Sequence, residues 1–144
     1  MKKFPPIEKV FEAWTALADN RVILHDGYAN VSSSDGEKSY IVRFSGDQYS
    51  SDDNATFWQG YPGYPVIAVL MLQGKLPYNH EEASNWKNIN WTLINKKHKN
   101  NYKEAVEEIA RERDIDLAKS YQEAQTVMTH LSSLPIQIKR KIKS

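Results

Sequence analysis

A chain of 144 residues with 40% hydrophobic and 26% charged side chains has the size of one domain and a composition that excludes wholesale disorder. It contains no cysteine and carries a formal net charge of +1. Disulfides, thiolate metal sites and cysteine nucleophiles are therefore excluded, and strong non-specific binding to nucleic acid is not expected.

The longest apolar run, Val66 to Leu72, falls far short of the ~20 residues that span a bilayer. The charged start, Met1-Lys2-Lys3-Phe4-Pro5-Pro6, leads into no apolar stretch, so a signal peptide is not expected either. A reducing, cytoplasmic location fits the lack of cysteine. The expectation is one globular domain over 1–144, with a basic tail over about 136–144. Charge is divided unevenly. Residues 1–72 hold six Lys/Arg against nine Asp/Glu, and residues 73–144 hold thirteen against nine.

In chain order, Ile7, Val10, Phe11, Trp14, Leu17 and Ala18 recur at helical spacing behind Pro6, which predicts an amphipathic packing helix with Trp14 in the core. The period then shortens. Val22 to Leu24 predicts a strand running on towards Val31, with Gly27 as a bulge or turn. Asp35-Gly36 is turn chemistry, and Lys38 to Phe44 alternates, with Tyr40, Val42 and Phe44 on one face and Arg43 on the other. A short strand near Gln48 to Ser50 completes an antiparallel meander. Beyond the polar Ser51-Asp52-Asp53-Asn54 break, a last strand is expected over Ala55 to Gly60.

The segment Phe57 to Pro77, FWQGYPGYPVIAVLMLQGKLP, stands apart. Val66 to Leu72 is apolar throughout, so periodicity does not separate a buried strand from a buried helix. Its flanks favour a helix: Pro65 suits a first turn, Gly74 a C-terminal cap with φ > 0, and Pro77 follows. The remainder is expected to be helical. His80 to Lys87 forms a short helix, and Asn90 caps a stripe from Trp91 through His98 and Tyr102 to about Arg113. Asp114-Ile115-Asp116 turns the chain into another stripe, Leu117 to Leu131. The predicted fold is α+β: an N-terminal helix, a small antiparallel β-meander, then a helical C-terminal half packed on one sheet face.

Motifs of chemical specificity are absent. No two of His25, His80, His98 and His130 lie at i, i+4 spacing, and the helix opening His80-Glu81-Glu82-Ala83-Ser84 has serine where a zinc protease needs its second histidine. No phosphate loop, nucleophile elbow or calcium loop occurs. No metal and no cofactor is expected. Lys96, Lys97, His98, Lys99 and Lys103 beside Tyr102, with the tail lysines and Arg140, form a basic run, which reads as a solvated face. Nucleic acid remains a weak alternative partner.

The functional expectation is a non-enzymatic module that binds a small molecule or protein through the aromatic Gly/Pro loop 57–65. Arg43, Trp58, Tyr61 and Tyr64 are its candidate residues, with Trp58 buried and both tyrosines partly exposed. The alternative is a small enzyme whose site gathers His25, Arg43 and Asp52 or Asp53.

Overall fold

A computed structural model describes residues 3–142. Helix α1 (Lys9–Ala18) precedes strands β1 (Val22–Leu24), β2 (Tyr28–Ser32), β3 (Ser39–Ser45) and β4 (Gln48–Ser51). A π-helical turn, Ala55–Gln59, leads into α2 (Tyr64–Leu72), α3 (His80–Ser84), α4 (Trp91–Lys97), α5 (Tyr102–Arg113), α6 (Leu117–Ser133) and a two-residue strand β5 (Gln137–Ile138). The class is α+β. The sheet order is β1-β2-β3-β4-β5, antiparallel through β4, with β5 parallel to β4.

Helix α2 is the hub. Pro65 to Met71 are all buried, because α1 lies against one side of the helix and the sheet against another. A helix apolar all round belongs in such a position. It ends where Gly74 takes φ +79° and the Lys75 amide donates to the Leu70 carbonyl. This is the left-handed cap that glycine adopts without a Cβ penalty. Trp14 is 1% exposed and packs edge-on against Phe11, as Phe11 does against Trp86.

Three local expectations change. Ala55 to Gly60 is not a strand: Asp53 Oδ2 accepts the Thr56 amide, as a helix cap does, and Gly60 closes the turn in the left-handed region. The stripe from Trp91 to Arg113 is two helices. Lys99 and Asn100 both have positive φ, and the Asn101 side chain caps α5 by accepting the Glu104 amide. Local cap chemistry at Asn101 outweighs the continuous periodicity. At the start of the expected tail, Ile136 is buried and Gln137–Ile138 extends the sheet, with the Gln137 amide donating to the Asp47 carbonyl. Lys143 lies outside the described residues.

Candidate functional site

The ends of two helices and one polar turn assemble a cleft of about 460 Å³ between α1, β3 and the α4–α5 corner. At the end of α1, Asn20 takes φ 56°, its amide bonds the Leu17 carbonyl, and the Arg21 amide bonds the Ala16 carbonyl. That Schellman arrangement turns the chain sharply and delivers the Arg21 side chain to the cleft. The α4–α5 corner repeats the pattern. Lys99 bonds Lys96 and Asn100 bonds Asn95 through the backbone, placing Asn95, Lys96 and Lys99 along the opposite wall.

Asp53 is set from beneath. Its Oδ2 accepts both the amide and the hydroxyl of Thr56, at 3.1 and 3.0 Å. The Thr56 hydroxyl in turn accepts the Gly63 amide at 2.9 Å. A Cβ built at Gly63 would lie 2.2 Å from Asp53 Oδ2, so glycine is required there by space, since its φ of −74° suits any residue. The Gly/Pro loop therefore seats a carboxylate from below.

The charges are arranged in pairs. Lys9 Nζ lies 3.1 Å from Glu12 Oε2 and 4.3 Å above the Tyr102 ring. Burial raises the Glu12 carboxyl above its ordinary range, with Lys9 opposing the shift. Burial also pushes the Tyr64 phenol far up, against the pull of Arg21. Tyr40 and Tyr64 meet edge to face at 6.3 Å. Trp91 forms part of the floor, its indole Nε1–H donating to Thr15 Oγ1 at 2.8 Å.

Five buried side-chain nitrogen and oxygen atoms among the described residues have no hydrogen-bond partner, and four of them border this cleft. They are Arg21 Nε and Nη2, Asp53 Oδ1 and Asn95 Oδ1, the fifth being Trp14 Nε1. Asp53 is 6% exposed and Asn95 8%. Buried polar atoms are normally paired, because an unmade hydrogen bond costs about 1–3 kcal/mol. Their concentration around one cleft sets it apart from the rest of the described interior.

The sequence candidates are divided between two faces. Tyr64 lines the cleft, and Tyr61, half-buried nearby, has its phenol raised by burial with Lys9 opposing. Trp58 is not buried: it is 64% exposed. Gly60 ends the π-helical turn and leaves Trp58 on the outer side, where its ring stands perpendicular to Phe57 and Arg140 lies 5.5 Å from each. Arg43 borders a shallow depression on that outer side with Phe57 and Arg140.

His25, Arg43, Asp52 and Asp53 do not converge. His25 stacks on Tyr28 at the β1–β2 turn and contacts Asn30. The Asp52 carboxylate accepts the Ile41 amide, and only Asp53 reaches the cleft. Lys97 and His98 are held by Glu108, at 2.6 and 3.2 Å, which draws part of the basic run into local ion pairs. Arg21, Asn95, Lys9 and Glu12 escaped the sequence reading. The visible signal for Arg21 was Asn20, a residue tolerant of left-handed backbone directly behind a helix.

Fold and cleft together define a small α+β protein with a charged, partly aromatic cleft. A family model described as "Uncharacterised conserved protein UCP014422" matches residues 2–137. The chain belongs to that family. The matched segment includes every residue of the cleft, whereas Arg140 and Lys141 of the outer depression lie beyond it. No curated protein and no solved structure matches the chain. No described helix is long and apolar enough to cross a membrane, and no three His, Asp or Glu side chains among the described residues gather as a metal site.

Proposed function

We propose that this protein is a non-enzymatic, cytoplasmic module that binds a small polar molecule in the cleft between Asp53, Arg21 and Asn95. The Gly/Pro loop holds the site rather than acting as the recognition surface. One observation carries the reading: four of the five unpartnered buried polar atoms among the described residues belong to side chains that line a single cleft. A volume of about 460 Å³ lies within the range of roughly 300–1,000 Å³ common to small-molecule sites. Binding is favoured over catalysis because the cleft contains no histidine, and its serines are engaged elsewhere. Ser33 Oγ donates to Asp35, and Ser34 Oγ accepts the amides of Trp91 and Thr92. The cytoplasmic setting rests on the cysteine-free composition.

Two tryptophans provide the test, one in the cleft floor and one on the outer face. In 15N-labelled full-length protein, titration with mixed free amino acids, simple carboxylates and inorganic phosphate should shift the Trp91 indole resonance and leave that of Trp58 in place. A shift confined to Trp58 would move the site to the outer face of the loop. No shift at Trp91 with any of these probes would overturn the reading.

A further inference from the structure

The unpartnered atoms differ in kind, and the difference specifies a ligand. Arg21 spends Nη1 on the Ser32 carbonyl and lies near enough to the Tyr64 hydroxyl to lower its pKa, while Nε and Nη2 make no hydrogen bond of good geometry. Nε–H and Nη2–H lie on the same edge of a guanidinium and point in parallel, which is the fork that grips both oxygens of a carboxylate. Its nearest acid, Asp19, stands 3.7 Å from Nε and spends its other oxygen on the Asn88 amide.

Asp53 presents the opposite character. Oδ2 is saturated by Thr56, so the carboxylate has one oxygen, Oδ1, for a donor. Asn95 Oδ1 is a second, neutral acceptor. A carboxylate and an amide oxygen on side chains that line one cleft suit an ammonium, which carries three donors and no acceptor. Tyr40 and Tyr64 add ring surface beside it, favourable to a cation.

The remaining charges bear on the rest of the ligand. Lys9 and Glu12 pair with each other, and Arg21 and Asp53 would each take one end of a zwitterion. Lys96 and Lys99 also line the cleft and leave its charge positive.

We propose that the cleft binds a free α-amino acid with an acidic side chain: Arg21 takes the α-carboxylate, Asp53 and Asn95 take the ammonium, and Lys96 and Lys99 favour the side-chain carboxylate. The inference rests on the reading of this cleft as a ligand site. It adds the chemistry of the ligand.

Calorimetry on the full chain with L-glutamate, glutarate, γ-aminobutyrate and L-lysine separates the contributions. L-glutamate should bind. Glutarate, which lacks the ammonium, and γ-aminobutyrate, which lacks the α-carboxylate, should each bind about tenfold or more weakly, as loss of a charge-assisted contact requires. L-lysine should bind more weakly than L-glutamate.

Asp53→Asn keeps an oxygen for Thr56 and puts an amide donor at the ammonium position. It should reduce L-glutamate binding to the glutarate level while leaving glutarate unchanged. Arg21→Lys, which retains charge without the fork, should weaken L-glutamate and glutarate together. Far-ultraviolet circular dichroism and melting of each variant establish that it folds.

Glutarate binding as tightly as L-glutamate, or an Asp53→Asn variant with undiminished affinity, would overturn the proposed ligand. If only inorganic phosphate binds, shifts the Trp91 indole and loses affinity in Arg21→Lys, the amino-acid class falls and the cleft stands as an anion site. If no probe binds, solvent alone serves Asp53 and Arg21, and both readings fall.

Discussion

Beneath Trp86 and beside Asp53 the chain buries polar groups in opposite ways. In the first region the network closes. Thr15 Oγ1 donates towards the Phe11 and Trp86 carbonyls and accepts the Trp91 indole, while Ser120 Oγ accepts the Trp86 indole and donates to Glu82. In the second region Asp53, Asn95 and Arg21, which line the cleft, keep unpartnered atoms. Closed networks fix a core, and open ones are retained at a cost in stability where a ligand must be met. The two regions share Trp91, whose indole belongs to the closed network and whose ring helps to floor the cleft.

The largest effect should come from the apolar core packed against the closed network, although Trp14 Nε1 itself has no partner. Trp14→Ala removes a side chain that is 1% exposed and should cost about 3–5 kcal/mol in urea unfolding. A loss below about 1 kcal/mol would mean that α1 packs in another register. Thr15→Val retains volume but strands the Trp91 indole and the Trp86 carbonyl, and should cost about 1–3 kcal/mol. A neutral result would show that this network does not hold the cleft floor.

A pH-dependent difference should come from Glu12. Its folded carboxyl lies above the ordinary range because of burial. As pH rises from the unfolded value through the folded one, the folded state holds more protons than the unfolded. Glu12's contribution to stability is therefore complete below that window and lost across it. Urea midpoints of wild type minus Glu12→Gln should fall as pH rises from about 4.5. A flat or rising difference would mean that Lys9 fully offsets the burial. The smallest effect belongs to the outer face, where Trp58→Ala should change stability by no more than about 0.5 kcal/mol in either direction.

The sequence exposed whatever depends on residue type over a run. The α1 stripe, the β-meander, the apolar α2 with its Gly74 cap and the last helix all follow from periodicity and from glycine and proline. What it concealed depends on single caps. Asp53 reads as a turn residue in Ser-Asp-Asp-Asn, and only the folded chain shows Gly63 closing beneath it. Asn100-Asn101 cuts a stripe that looks continuous in apolar spacing. Gly60 and Gly63 suggest a loop that turns outward only after Trp58, leaving that ring buried, yet Trp58 is exposed and Gly60 takes the left-handed turn just beyond it. The cleft itself gathers residues from position 9 to position 102, with no local spacing to betray it. Tyr64 was the one candidate of the expected loop surface that lines it.

The contrast between the regions is tested most directly by unfolding the ligand-free Asp53→Asn variant beside Thr15→Val. Asparagine retains an acceptor for Thr56 and removes a buried carboxylate whose second oxygen has no partner. If the cleft is held open for a ligand, Asp53→Asn should leave the urea midpoint unchanged or raise it, while Thr15→Val lowers it by the equivalent of about 1–3 kcal/mol. A fall in Asp53→Asn as large as that in Thr15→Val would contradict the account, because Asp53 would then be part of the structural framework like the residues beneath Trp86.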